Sequence, residues 1–486
     1  MRNILLVFIS LLITSYSLLS GCAVNPVTGR QELMFVSETK EVEMGQELYP
    51  NALWGDLEGG GEYKDEKLKM YLKDIVLRIH GASHRPNLPV EFAIQNSSVP
   101  NAWAIPGYVV ITRGLLASLE SEAEFVFVMG HEMGHVSARH SARHITYSMI
   151  QQIGLGAAGI ALSGKEYSDI GLRLGAMGSS LLLLKYGRDD ELEADRLGIE
   201  YMTRLGYRPE NAVNAHKNLE RASEEYMKSL GKNTEEKGFF DSLLSTHPRT
   251  SVRIDEIQQL ITGMEPSAIY GNGTNKEKFQ AMIAELKNTN RIYVESYDKA
   301  VRAFGKNDLD EADYLASKAI NQNDRQPAFH TLKGFVRLKK KDYIESEKYF
   351  NAAMDIDKDY APALRGMGAI RYYKGDYSGS AGYLKRSLAI FPQDIPARYF
   401  LGMSYYKMRM YKTALPHLKM FADVQPRHPE IHAILGICYE NINDLYSAYS
   451  EYVAQIKVAP NNEMGKYAAS RIGVLQFILE GPRIRR

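Results

Sequence analysis

Cysteine is scarce in this chain, with two in 486 residues, and that excludes a disulfide framework or a zinc site built from thiolates. Net charge is almost absent: 59 Lys and Arg stand against 58 Asp and Glu, which argues against nucleic acid as a partner. Beyond residue 19 no uncharged apolar run is long enough to cross a bilayer. The nearest runs, Ile153 to Ser163 and Ala176 to Leu184, are too short and read as buried Gly-rich helices beside the candidate site described below. A Gly-rich phosphate loop and a Ser or Cys nucleophile arrangement are also missing, which leaves NTP-driven and acyl-enzyme chemistry without support.

What the chain does have begins at its N-terminus. Met1-Arg2-Asn3 precedes an apolar stretch from Ile4 to Leu19, the layout of a secretory signal. Leu19-Ser20-Gly21-Cys22 resembles a bacterial lipobox, so residues 1–22 are expected to be a lipoprotein signal with Cys22 the acylated mature N-terminus. Acyl chains there hold a protein to a membrane without a spanning helix. Ala23 and Val24 follow in place of Asp, which by likeness to sorting signals favours the periplasmic leaflet of the outer membrane. Cys438 then has no intramolecular partner and reads as a small core residue.

The C-terminal half repeats. Gly334, Gly368, Gly402 and Gly436 are 34 residues apart, as are Tyr343, Tyr377, Tyr411 and Leu445, and the small residues Ser346, Ser380, Ala414 and Ala448. Pro392, Pro426 and Pro460 fall where a helix must stop. A 34-residue period with these columns is a tetratricopeptide signature, and Ala300, Leu309 and Ala312 extend it to about Tyr293. We expect about five repeat units over 291–462, then a capping helix and tail over 463–486. Such helix pairs bury their apolar faces only by stacking, which leaves a concave side for an extended peptide or partner. The many tyrosines suit that surface, and equally the gaps between helices. Thr262-Gly263-Met264-Glu265-Pro266 and Gly271-Asn272-Gly273-Thr274-Asn275 carry turn residues without periodicity, so 266–290 is predicted to be a linker and 23–265 a separate domain.

That first domain contains His131-Glu132-Met133-Gly134-His135, an HExxH element. On a helix both imidazoles share a face and reach one ion, with Glu132 directed at the remaining coordination position. Ser121 with Glu124 makes a capping box, and Phe125, Val128, Met129 and Val136 continue with helical spacing, so the element is predicted to be helical. Two neutral imidazoles need an anionic third ligand. Glu191-Leu192-Glu193-Ala194-Asp195 offers one: Glu191 as ligand, with Asp195 one turn on to accept from a ligating histidine's other ring nitrogen, and Glu193 as the runner-up ligand. His140 and His144 lie too far along the helix axis to share the ion and read as structural. Trp103 to Thr112, rich in Ile and Val, reads either as an edge strand beside the cleft, where an extended substrate would pair, or as an internal strand of a small sheet.

With HEMGH and ELEAD, the chain resembles the HExxH zinc peptidases that carry an ExxxD third-ligand helix, the family of the CAAX prenyl endopeptidases and the heat-shock protease HtpX. The likeness covers most of the first half. It includes Asn25-Pro26-Val27-Thr28-Gly29-Arg30, Asn101-Ala102-Trp103-Ala104-Ile105-Pro106-Gly107 leading into Thr112-Arg113-Gly114-Leu115, and Ser245-Thr246-His247-Pro248-Arg249-Thr250 followed by Arg253-Ile254. The resemblance implies a mainly α chain, an α+β gluzincin-type metalloprotease domain followed by an all-α tetratricopeptide solenoid. It implies one Zn2+ per chain held by His131, His135 and Glu191, with Glu132 as general base and Asp195 supporting a ligand. It also implies a role for His247, which either donates to the oxyanion or occupies the fourth zinc position. Envelope members of this architecture imply misfolded or misassembled outer-membrane proteins as substrates and the β-barrel assembly machinery as a partner of the array. A zinc endopeptidase of the periplasm is therefore expected. The competing expectation is a non-proteolytic chaperone or adaptor whose working part is the array. An integral-membrane prenyl-type protease would require spanning helices that the sequence does not show.

Overall fold

The computed structural model describes residues 22–56, 60–150, 186–231, 251–265 and 268–480, which divide into two compact units, Met1–Glu295 and Ser296–Arg486. The signal stretch before Cys22, the apolar runs within 151–185 and His247 lie outside the described residues.

The first unit opens with a two-stranded hairpin, β1 (Cys22–Val24) against β2 (Gln31–Leu33), followed by α1 (Glu38–Asn51) and α2 (Glu66–Ala82). A three-stranded sheet follows: β3 (Glu91–Gln95), β4 (Ala102–Ile105) and β5 (Tyr108–Thr112), in the order β3-β5-β4. The stretch read as one strand from Trp103 to Thr112 is therefore two. Pro106-Gly107 breaks it, because Gly107 takes φ +97°, and the halves pair antiparallel with Trp103 opposite Val110. β5 runs parallel to β3 at the centre of the sheet, which leaves β4 as an edge strand beside the next long helix. Helices α3 (Arg113–Ser118) and α4 (Glu122–Ser137) come next, then α5 over 140–150, α6 (Arg188–Arg204), α7 (Asn211–Ser229) and α8 (Ser251–Thr262).

The segment 276–290, read as linker, is instead most of a helix, α9 (Lys276–Ile292). Its Phe279, Ile283 and Leu286 are fully buried in the same core as Phe125 and Val126 of α4. Turn residues do occupy 271–275 as expected, but they connect elements within the unit rather than separating two domains. The apolar spacing at 279, 283 and 286 is helical, and it was outweighed by the glycines and asparagines just before it.

The second unit is a run of antiparallel helix pairs: α10 (Asp298–Gly305) with α11 (Leu309–Gln322), α12 (Pro327–Lys339) with α13 (Tyr343–Ile356), and α14 (Ala361–Tyr373) with α15 (Tyr377–Ile390). It continues with α16 (Ile395–Lys407) and α17 (Tyr411–Val424), α18 (Ile431–Asn441) and α19 (Leu445–Val458), and closes on α20 (Glu463–Glu480). The repeating glycine of each first helix lies against one large side chain of the second, Phe350, Leu384, Leu418 and Tyr452 in turn; a Cβ there would sit 2.5–2.7 Å from that side chain. The hairpin turns also repeat. Asn307, Lys341, Gly375, Arg409 and Asn443, each 34 residues from the last, all take positive φ between 59° and 80°. Asp308, Asp342, Asp376 and Asp444 then cap the second helices by accepting from the backbone N–H three residues on. Cys438 is buried, as its apolar helix face suggested.

Candidate metal centre

α4 is an almost wholly buried helix, and its sequence explains both its start and its neighbour. Ser121 Oγ accepts from Glu124 N, while Glu124 Oε2 accepts from Glu120 N and from Asn218. Gly130 and Gly134 leave its backbone bare along one stripe, and α6 packs into that stripe through Ala194 and Gly198. A Cβ on Gly134 would stand 3.1 Å from the Ala194 backbone, and one on Gly198 would stand 3.0 Å from His131 N. The two helices therefore meet backbone to backbone, which brings the HExxH face of one within reach of the ExxxD face of the other.

At that crossing His131, His135 and Glu191 converge, all buried, with one ligand atom from each within 4.8 Å of the others. His131 Nε2 and His135 Nε2 are 3.1 Å apart; Glu191 Oε1 is 3.4 Å from His135 Nε2, and Glu191 Oε2 is 3.7 Å from His131 Nε2. Three ligands about 2.0–2.1 Å from one tetrahedral ion lie about 3.4 Å apart, so these spacings fit a single metal ion. The chemistry fits as well. Burial holds His135 well below the ordinary imidazole pKa, so its ring is neutral and its nitrogen faces another ring nitrogen and a carboxylate, a donor set suited to a cation.

The surrounding groups fix the ligands in place. Asp195 Oδ1 lies 2.9 Å from His131 Nδ1, the arrangement read from the ExxxD spacing. Burial alone raises the Asp195 pKa, but the Arg253 and His216 charges overcome it and hold the carboxyl well below its usual value. Arg253, on α8, grips Asp195 with two nitrogens at 2.7 Å each and reaches Glu191 Oε2 at 2.6 Å, leaving Glu191 Oε1 facing the imidazoles. The sequence offered Arg253 only as part of a matching stretch and gave it no role, because nothing local to residue 253 shows that α8 folds back onto α6.

His140 is not one of the three converging groups, but it touches one of them. It lies one turn beyond His135, but Arg139 adopts φ +56° and ends the helix, so the chain turns and His140 Nδ1 comes to 2.7 Å from His135 Nδ1. His140 Nε2 is 3.1 Å from Glu193 Oε2, whose carboxyl is held below its usual pKa first by that hydrogen bond. One tautomer satisfies the chain: His135 Nδ1–H donates to His140 Nδ1, and His140 Nε2–H donates to Glu193, leaving His135 Nε2 free of a proton for a metal. Glu193, the runner-up ligand, is thus occupied by His140. His144 pairs with Asp190 at 2.7 Å and is not among the three converging groups. His140→Ala is expected to weaken zinc affinity about 10–100-fold with little change in fold, measured by competition with a chromophoric chelator; unchanged affinity would show that His135 needs no support from His140.

Glu132 sits buried between the two histidines in sequence, and its charge acts on both Tyr186 and Arg253. The Tyr186 ring stacks on His135 at 3.9 Å, and its hydroxyl meets Ser141 Oγ at 3.0 Å. Cys22 is the first residue of β1, far in sequence from the trio.

A buried HExxH helix crossed by an ExxxD helix, on a small mixed sheet, defines the class as a metallopeptidase domain. Residues 66–261 match the model of Peptidase family M48. The chain is 28% identical over 243 residues to the mitochondrial metalloendopeptidase OMA1 of Schizosaccharomyces pombe, covering 48% of this chain and 65% of that protein. It is 23% identical over 271 residues to the beta-barrel assembly-enhancing protease of Escherichia coli, covering 51% of this chain and 53% of that one. The chain thus spans about half to two thirds of these two relatives' length. Among solved structures it is similar to YrrB, a TPR protein, at 19% identity and a TM-score of 0.31, covering 39% of this chain and 97% of the other.

Proposed function

We infer that this chain is a zinc endopeptidase of the cell envelope, anchored by acylated Cys22, which hydrolyses misfolded or misassembled envelope proteins selected by its repeat array. The observation that carries this reading is the convergence of His131, His135 and Glu191 at a buried helix crossing, with Asp195 on the far side of His131. The relatives' names, a metalloendopeptidase and a protease, agree with it.

Bound zinc would supply Lewis-acid polarisation and lower the pKa of a coordinated water toward ~7. The chain's own residues do the rest. Glu132, one position from His131, takes the proton of the attacking water and passes it to the leaving amine. Asp195, Arg253 and His140 hold the ligands in one geometry, so no ligand has to be reoriented during the reaction. An extended substrate would pair with β4, the edge strand of the sheet, which packs beside α4. His247 enters by resemblance alone. His247→Ala should raise hydrolysis if the histidine blocks the fourth metal position and lower it if it donates to the oxyanion.

The test is casein hydrolysis by the chain lacking residues 1–22. Activity is expected to disappear with a chelator and return with zinc; hydrolysis indifferent to chelation would overturn the mechanism.

A further inference from the structure

A small core near the N-terminus, formed by Met34, Val36, Ala142 and Ile145, is apolar on its outside as well as its inside. In the hairpin Cys22 lies opposite Leu33 and Val24 opposite Gln31, and Val24 is 53% exposed. After Leu33 the chain keeps alternating: Met34 and Val36 turn inward, and Phe35 turns out at 42% exposure. Phe35 N donates to Thr146 Oγ1 at 3.0 Å, which ties this strand end to α5. On α5, Ala142 and Ile145 face the small core while Tyr147, 55% exposed, and Ile150 face solvent. Large apolar side chains scattered singly on a surface need no explanation, but four around one hairpin and one helix do.

We propose that Val24, Phe35, Tyr147 and Ile150 form a membrane-seating face, and that its occupant is the lipid surface to which the chain is anchored. The argument for lipid over a protein partner is the position of Cys22. Its backbone pairs with Leu33, between the Val24–Gln31 pair and the extension that carries Phe35, so an anchored chain begins at this hairpin and keeps the face near the bilayer at high effective concentration. The inference rests on the anchoring part of the reading above and is independent of the peptidase part.

A seated face has a consequence for the site. α5 carries Tyr147 seven residues after His140, about 10 Å along a helix, and His140 touches His135. Seating this face would hold the metal ligands within about 20 Å of the lipid headgroups and bias the enzyme toward chains emerging at the membrane surface.

The test uses the full acylated chain in phosphatidylethanolamine–phosphatidylglycerol vesicles containing brominated lipid. Phe35→Trp adds a reporter within the face, and Met70→Trp adds one at an exposed position of α2, which takes no part in the small core. The emission added by Phe35→Trp is expected to fall at least twofold with brominated lipid, and that added by Met70→Trp to stay unchanged. Equal, unquenched emission from both reporters would overturn the seating. Intact mass reads the anchor separately. An unacylated Cys22 would overturn the anchoring reading, and flotation of that chain with the same vesicles would then decide the face by itself, failure to float overturning it.

Discussion

Glu132→Gln is expected to lower peptide hydrolysis by about 10²–10⁴-fold while leaving zinc content and thermal unfolding unchanged. The amide has the carboxylate's shape but accepts no proton from an attacking water, so it removes the base and preserves the packing around a side chain that is only 4% exposed. None of the three converging ligand atoms belongs to Glu132. Metal content by mass spectrometry and kcat/KM on casein read the two effects independently. Retention of more than a tenth of the activity would remove Glu132 from the role of base. The same variant separates a peptidase from an adaptor: if envelope function survives in cells while cleavage in vitro is lost, the array is the working part.

Ending the first unit at residue 265, the boundary suggested by its turn residues, is expected to leave it unfolded, whereas ending it at 295 is expected to leave it folded and able to bind metal. Phe279, Ile283 and Leu286 are fully buried. Burying side chains of this kind contributes about 1.5–3 kcal/mol each, and a whole domain has a net stability of only about 5–15 kcal/mol. The same cut strips partners from Arg113, the largest fully buried side chain among the described residues. Its guanidinium donates to Asn96 Oδ1 at 2.9 Å, to Ser98 Oγ at 3.0 Å and to Asn290, and lies over the Tyr293 ring at 3.8 Å. Residues 290 and 293 are lost with the cut, which takes two partners from a buried cation, a change that destabilises strongly. Circular dichroism and thermal melts of residues 22–265 and 22–295 make the comparison. A cooperative melt from the shorter chain at the temperature of the longer would show that α9 is dispensable.

Patterns held within one element were legible in the sequence. The spacing of His131 and His135, the Ser121 cap, the pairing of Glu191 with Asp195 one turn apart and the 34-residue columns each depend on a fixed helical geometry, and so each could be read from residue numbers alone. The one strand drawn from Trp103 to Thr112 was misread because Pro106-Gly107 turns the chain within it, a local signal set aside in favour of the β-branched residues on either side.

What the sequence determined about this protein is therefore which side chains share a face: two imidazoles here, two carboxylates there, a glycine every 34 residues. Which faces meet was decided only by the tertiary structure. Gly130, Gly134 and Gly198 let α4 and α6 touch backbone to backbone, Arg253 returns from α8 to clamp Glu191 and Asp195, and the left-handed Arg139 swings His140 onto His135. The physical reason is that periodicity encodes direction along one element, whereas the distance between two elements is set by the packing of every side chain between them.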